Sequence, residues 1–195
     1  MATAGPAGVA LRVGGGPTLR RRARRLAIAL ALVACSSACS SGGKARSTAA
    51  ATPPVSVARV ALTSDDFTDN GTIPVALTCQ GQQRPPVLHW SGVPAGTAEL
   101  ALTVEDPDAP GGTFVHWIVT GIPPTATGLP ATGAVDNGWR GPCPPAGPAH
   151  HYVFTLYAVT RPLGLSRGAT ATRVKDAANG VTSGVGRLVG LYQHS

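Results

Sequence analysis

Residues 141–159 read GPCPPAGPAHHYVFTLYAV, and this stretch decides the fold. Its first part is dense in proline and glycine; its second is almost wholly apolar and aromatic. Prolines fix φ and remove N–H donors, so Pro142, Pro144 and Pro145 make a stiff turn, and Gly147 lets the chain bend out of it. Tyr152–Val159 has the length and composition of a buried strand. Residues two apart in a strand share a face, so His150 and Tyr152 point one way and His151 the other. Polar donors at the mouth of a buried strand, beside a rigid loop, suggest a pocket wall rather than a solvated turn.

The same alternation of short β-rich runs and Gly/Pro/Asn/Asp punctuation extends outward from Val55. Strands are expected at Val55–Leu62, Thr72–Leu77, Val87–Trp90, Glu99–Val104, Val115–Thr120 and Val185–Tyr192. One helix is expected near Ala171–Asn179, with Val174, Ala177 and Ala178 on one face and Gly180 as its C-cap. Many short strands with one late helix indicate a mainly β domain, a sandwich or a barrel, over residues 55–195.

A second rigid segment, Asp106-Pro107-Asp108-Ala109-Pro110, precedes His116-Trp117. The prolines hold Asp106 and Asp108 extended, and at i, i+2 the two carboxylates share a face. Either the pair forms an Asx-turn network or it serves a site. His116 opens a buried run and needs a partner; Asp106 is the expected one, orienting the ring and favouring its charged form. Asp106, His116, His150 and Tyr152 together offer imidazole and phenol donors to an anion.

The net charge of +7 is a property of the N-terminus. Six arginines and no acid precede Cys35, and the remainder carries ten basic and nine acidic residues. A nearly neutral globular part argues against nucleic-acid binding. Residues 1–34 read as a secretory signal, with Arg20–Arg25 as the basic region and Leu26–Ala34 as an apolar run too short to span a bilayer. Leu32-Val33-Ala34-Cys35 resembles a bacterial lipobox, making Cys35 a site of lipidation; the alternative is an ordinary signal peptide cut near Ala38. Residues 35–54 are Ser, Gly, Ala, Thr and Pro with Cys35, Cys39, Lys44 and Arg46, a flexible tether of roughly 25 Å reach. The chain is thus expected to be exported and anchored by lipid to the outer face of the cell membrane. Export puts cysteines in an oxidising setting. Cys79 and Cys143 both lie in the globular part, so a Cys79–Cys143 disulfide is the expected pairing, with two buried free thiols as the alternative. Without Cys-x-x-Cys or His-x-x-x-His spacing, no metal or other cofactor is expected.

At these residues the chain resembles the phosphatidylethanolamine-binding protein family, in particular its bacterial Raf-kinase-inhibitor-like (YbhB/YbcL-type) branch. Asp-Pro-Asp-Ala-Pro, His-Trp, Gly-Pro-Cys-Pro-Pro and His-x-Tyr carry the resemblance, supported by Pro85–Pro94 and Phe154–Ala158. It implies a β-sandwich with a large antiparallel sheet and a short C-terminal helix. It also implies a pocket for phosphate-type head groups formed by Asp106, His116, His150 and Tyr152, with Pro144 and Cys143 on the rim and Asp108 and Pro110 supporting the loop. Arg84 departs from the family pattern and would add positive charge at the pocket mouth if its loop lies there.

The expected function is binding of a small anionic ligand or phospholipid head group at the cell envelope. A regulator or inhibitor of another protein, its partner unknown, is the second reading. A hydrolase using the Asp/His pocket is the third, disfavoured because no Gly-x-Ser-x-Gly elbow is present.

Overall fold

The computed structural model describes residues 56–130 and 134–194. The signal sequence, Cys35 and the tether lie outside the described residues. In chain order the elements are β1 (Ala58–Arg59), β2 (Ala61–Ser64), β3 (Gly71–Thr72), β4 (Leu88–Ser91), β5 (Glu99–Asp106), β6 (Phe114–Ile122), β7 (Gly128–Leu129), β8 (Val135–Asp136), β9 (His150–Val159), α1 (Ala171–Ala178) and β10 (Thr182–Tyr192).

Two sheets form a sandwich. The larger runs β1-β10-β9-β5-β6-β8, and β3 also pairs with β10. From β10 to β8 its ladders are antiparallel, whereas β1 and β3 join β10 in parallel, so the sheet is mixed rather than wholly antiparallel. The smaller sheet runs β2-β4-β7. Between them lies one continuous core in which Leu62, Leu88 and Trp90 of the small sheet meet Leu102, Val104, Trp117, Phe154, Leu156 and Leu188 of the large one. Each such side chain contributes about 1.5–3 kcal/mol when fully buried.

Two sequence expectations give way here. The single strand expected at Val55–Leu62 is divided at Val60: β1 belongs to the large sheet, β2 to the small one, and buried Val60 donates its N–H to the Val185 carbonyl at 2.9 Å. The strand expected at Thr72–Leu77 stops at Thr72. Pro74 brings no N–H to a ladder and instead precedes a single 3-10 turn, Val75–Leu77, closed by Leu77 N–H to the Pro74 carbonyl at 2.9 Å.

The opposite face of the large sheet carries α1. Ala171 and Val174 pack on Ala101 and Ile118. The Thr170 hydroxyl caps the helix by accepting from Arg173 N–H, and Gly180 at φ +74° ends it. Lys175 fixes the helix to β5 by an ion pair with Glu105 at 2.7 Å.

Candidate functional site

Asp106 and His150 are brought together by strand register. In the ladder of β5 with β9, Val104 lies opposite Phe154 and Glu105 opposite Val153, so the C-terminal end of β5 meets the N-terminal end of β9. Both side chains lie on the core-facing side of the sheet and are buried. His150 Nδ1 lies 2.8 Å from Asp106 Oδ2. A carboxylate accepts, so Nδ1 carries the proton and Nε2 is left to face outward chemistry. The second oxygen, Oδ1, accepts from Asp108 N–H at 2.8 Å, which is an Asx turn. Asp106 thus closes its own loop and orients an imidazole with the same carboxylate.

The expected partnership between Asp106 and His116 is replaced by this one. His116 Nδ1 donates to the Arg140 carbonyl at 2.6 Å, and Arg140 N–H returns a bond to the His116 carbonyl at 2.9 Å. Burial pushes the His116 pKa below its ordinary value of 6.5; the Arg140 carbonyl and the Asp106 charge oppose this without overcoming it. The ring is therefore held neutral, not charged as the sequence led us to expect.

His116 faces the core side because β6 bulges there. Val104 pairs with Trp117 but the next residue, Glu105, pairs with Val115, leaving His116 as the extra residue. Strict alternation from Trp117 would turn His116 toward α1; the bulge re-aims it. Its ring meets Phe114 edge-on at 4.8 Å and Tyr152 at 4.9 Å between centroids.

Tyr152 shares the face of His150, as strand spacing implies, and His151 is exposed on the other. Tyr152 lies one layer deeper than a ligand contact: it is fully buried behind His116 and is not on the cleft wall. Its hydroxyl has no hydrogen-bond partner among the described residues, and burial pushes its pKa well above the usual 10.0. Asp108 leaves the shared face because the chain turns after Asp106. It accepts from His151 N–H at 2.8 Å and lies 2.7 Å from His151 Nδ1, and these bonds lower its pKa. This clamps the Asp106–Pro110 loop to the start of β9.

Above these residues opens a cleft of about 430 Å³. Asp106, His116 and His150 are its buried polar members. Ala109, Pro110 and Phe114 line one side, and Gly141, Cys143, Pro144 and Pro145 the other, with Arg140 exposed beside them. The Pro-rich wall is strapped down. A disulfide joins Cys79 and Cys143, with Cα atoms 5.4 Å apart. Cys79 N–H donates to the Pro142 carbonyl and Trp139 Nε1–H to the Leu77 carbonyl, each at 3.0 Å.

Arg84 is not on the cleft. It pairs with Asp66, which also accepts from Val87 N–H at 2.9 Å, and the guanidinium holds the Asp66 carboxyl below the usual carboxylate range. The cation on the cleft is Arg140, which the sequence reading passed over; its position directly before Gly141-Pro142-Cys143 was the available signal. Phe114, two residues before His116, was missed because the bulge that turns it inward has no local signature.

Residues 63–193 match the family model for phosphatidylethanolamine-binding protein. The chain belongs to the phosphatidylethanolamine-binding protein family. It is 47% identical over 162 residues to LppC of Mycobacterium tuberculosis, whose name proposes it as a lipoprotein; the match covers 77% of this chain and 80% of the relative. A UPF0098 protein of Methanothermobacter thermautotrophicus is 40% identical over 148 residues, covering 68% of this chain and 97% of that one. Among solved structures, Escherichia coli YbcL, described as a member of the mammalian family, superposes with a TM-score of 0.66 at 30% identity, covering 71% of this chain and all of that chain (100%). Chlamydia trachomatis CT736, described as a homologue, gives a TM-score of 0.65 at 32% identity over 70% of this chain and 99% of that one.

In this member of the family the cleft combines a carboxylate-oriented imidazole, a guanidinium without a partner among the described residues, and rigid apolar walls. The family fold supplies the ends of β5 and β9; the bulge in β6 and the disulfide-strapped loop supply the rest. Such a cleft sets an imidazole below and a cation beside one space whose walls need not rearrange to be filled.

Proposed function

We infer that the protein is a lipid-anchored binding protein for a small anionic ligand of phosphate type, held at the extracytoplasmic face of the cell membrane. The observation that carries the reading is the Asp106–His150 pair. Asp106 fixes the proton on Nδ1 and directs Nε2 as the imidazole's free site for a ligand in the cleft of about 430 Å³. In the doubly protonated ring that atom is a charge-assisted donor to an anion. Binding rather than catalysis is favoured by what surrounds the imidazole. His150 has no hydroxyl or thiol bonded to it among the described residues, and the sulfur of Cys143 is committed to Cys79. The anchor rests on Leu32-Val33-Ala34-Cys35 in the sequence and on the similarity to LppC.

The test is thermal unfolding of the purified protein with inorganic phosphate or phosphoethanolamine. Millimolar ligand is expected to raise Tm, and His150→Ala to remove the shift; a Tm indifferent to both ligands overturns the reading. Cys35→Ser should release the protein from membranes, and its retention there overturns the anchor.

A further inference from the structure

Arg140 is the one lysine or arginine on the wall of the cleft, and its guanidinium is exposed with no partner among the described residues. Arg84 is engaged with Asp66, Arg167 with the Asp136 carbonyl and Lys175 with Glu105, and what separates Arg140 from the remaining arginines of the domain is its place on the cleft. Nor is Arg140 needed to neutralise Asp106, whose oxygens are taken by His150 and the Asp108 N–H.

The backbone beneath this free side chain is immobilised at every step. Both main-chain groups of Arg140 bond to His116, at 2.6 Å and 2.9 Å. The next residue, Gly141, packs so tightly that a Cβ there would lie 2.5 Å from the Leu77 carbonyl oxygen. Pro142 and Cys143 follow, strapped to Cys79. An uncommitted guanidinium on a rigid mount at the lip of an anion cleft is a preorganised contact whose ordering cost is confined to its own rotamers.

We propose that Arg140 sets the ligand class of the cleft, selecting a terminal phosphate, carried as a monoester, over a phosphodiester. The inference rests on the phosphate-binding reading above and refines it. In its doubly protonated form His150 offers a single free donor, Nε2, from the buried end. The arginine fork offers two parallel N–H groups from the lip. A monoester has three unesterified oxygens and close to two charges at neutral pH, enough to meet Nε2 with one oxygen and the fork with the other two. A diester has two free oxygens and one charge, so an oxygen that meets Nε2 must be shared with the fork, and the cation faces about half the charge.

The test compares phosphoethanolamine, a monoester, with glycerophosphoethanolamine, a diester bearing the same amine. Calorimetric titration uses the full-length protein and its R140A and R140K variants. The wild type is expected to bind the monoester about tenfold more tightly than the diester, the weight of one charge-assisted hydrogen bond. R140A should lose about that factor for the monoester and change diester binding within about twofold. R140K, with a point charge but no fork, should fall between them. Raising ionic strength should weaken monoester binding in the wild type more than in R140A. All three proteins should unfold at the same Tm without ligand, since the exposed side chain has no partner among the described residues. R140A binding the monoester as well as the wild type, equal losses for both esters, or a wild type that prefers the diester overturns the role of Arg140 while phosphate binding stands. A wild type that binds neither ester overturns the phosphate reading, and the selectivity with it.

Discussion

Asp106 and His150 lie 44 residues apart in sequence, and their side chains meet at 2.8 Å, buried where β5 ends and β9 begins. The carboxylate also accepts the Asp108 N–H, so two donors depend on one group. Asp106→Asn keeps the volume but turns an amide N–H toward His150 Nδ1. The imidazole must then move its proton to Nε2 or leave a buried donor unpaired. The variant should be less stable by about 1–3 kcal/mol in urea unfolding. Phosphate should bind more weakly, because the imidazole loses the carboxylate that fixes its proton on Nδ1 and its orientation beside the cleft. Unchanged stability together with unchanged phosphate affinity would remove Asp106 from the site.

His116 gives a pH dependence of known sign. Burial holds its pKa in the folded protein below the ordinary 6.5. Between those two values the unfolded chain binds a proton that the folded chain does not. Stability therefore rises with pH across that window, is fully present above 6.5 and is lost as pH falls below it. The slope from this one group is at most about 1.4 kcal/mol per pH unit. His116→Gln keeps a donor within reach of the Arg140 carbonyl and removes the titration. Denaturant unfolding from mildly acidic to neutral pH should show a shallower acid loss in the variant, and identical slopes would mean that His116 titrates alike in both states.

The difference between the legible and the hidden parts of this site is one of range. That His150 and Tyr152 share a face follows from the period of a single strand, and the helix near residue 171 follows from local spacing with a glycine stop. The partner of His116 does not, because its direction depends on a bulge that exists only in the pairing of β6 with β5. The transfer of the chain between sheets at Val60 is likewise decided by what β10 and β4 offer on either side. Arg84 and Arg140 each stand just before a proline-containing turn, in Arg84-Pro85-Pro86 and Arg140-Gly141-Pro142. Only the fold determines that one meets Asp66 and the other borders the cleft.

The Cys79–Cys143 bond closes a loop of 64 residues that contains β4 to β8. The chain-entropy relation gives about 4 kcal/mol for a loop of that length. The double variant Cys79→Ser/Cys143→Ser should show a lower Tm and a lower denaturant midpoint. Its phosphate-induced shift should also fall, because Cys143 forms part of the cleft wall. Comparing the wild type with and without a reducing agent should reproduce the stability loss, whereas equal midpoints would mean that the hydrogen bonds from Cys79 and Trp139 hold the wall unaided.

Gly141 shows how closely that wall is fitted. A Cβ added there would approach the Leu77 carbonyl oxygen to 2.5 Å and backbone atoms of Thr78 to 3.0 Å. Both obstacles are main chain, on a segment held by the Pro74 turn on one side and by Cys79 on the other, so neither side-chain rotation nor a small shift relieves the contact. Gly141→Ala should therefore cost about 1–3 kcal/mol, as overpacking does elsewhere. It should also weaken phosphate binding, because the displaced segment carries Arg140 at one end and Cys143 at the other. Gly111→Ala is the matching control: it lies on the same cleft, and nothing comes within 4 Å of an added Cβ. Urea unfolding and phosphate titration of both variants should separate them clearly; a Gly141→Ala protein as stable as Gly111→Ala would mean that the two backbones part at little cost.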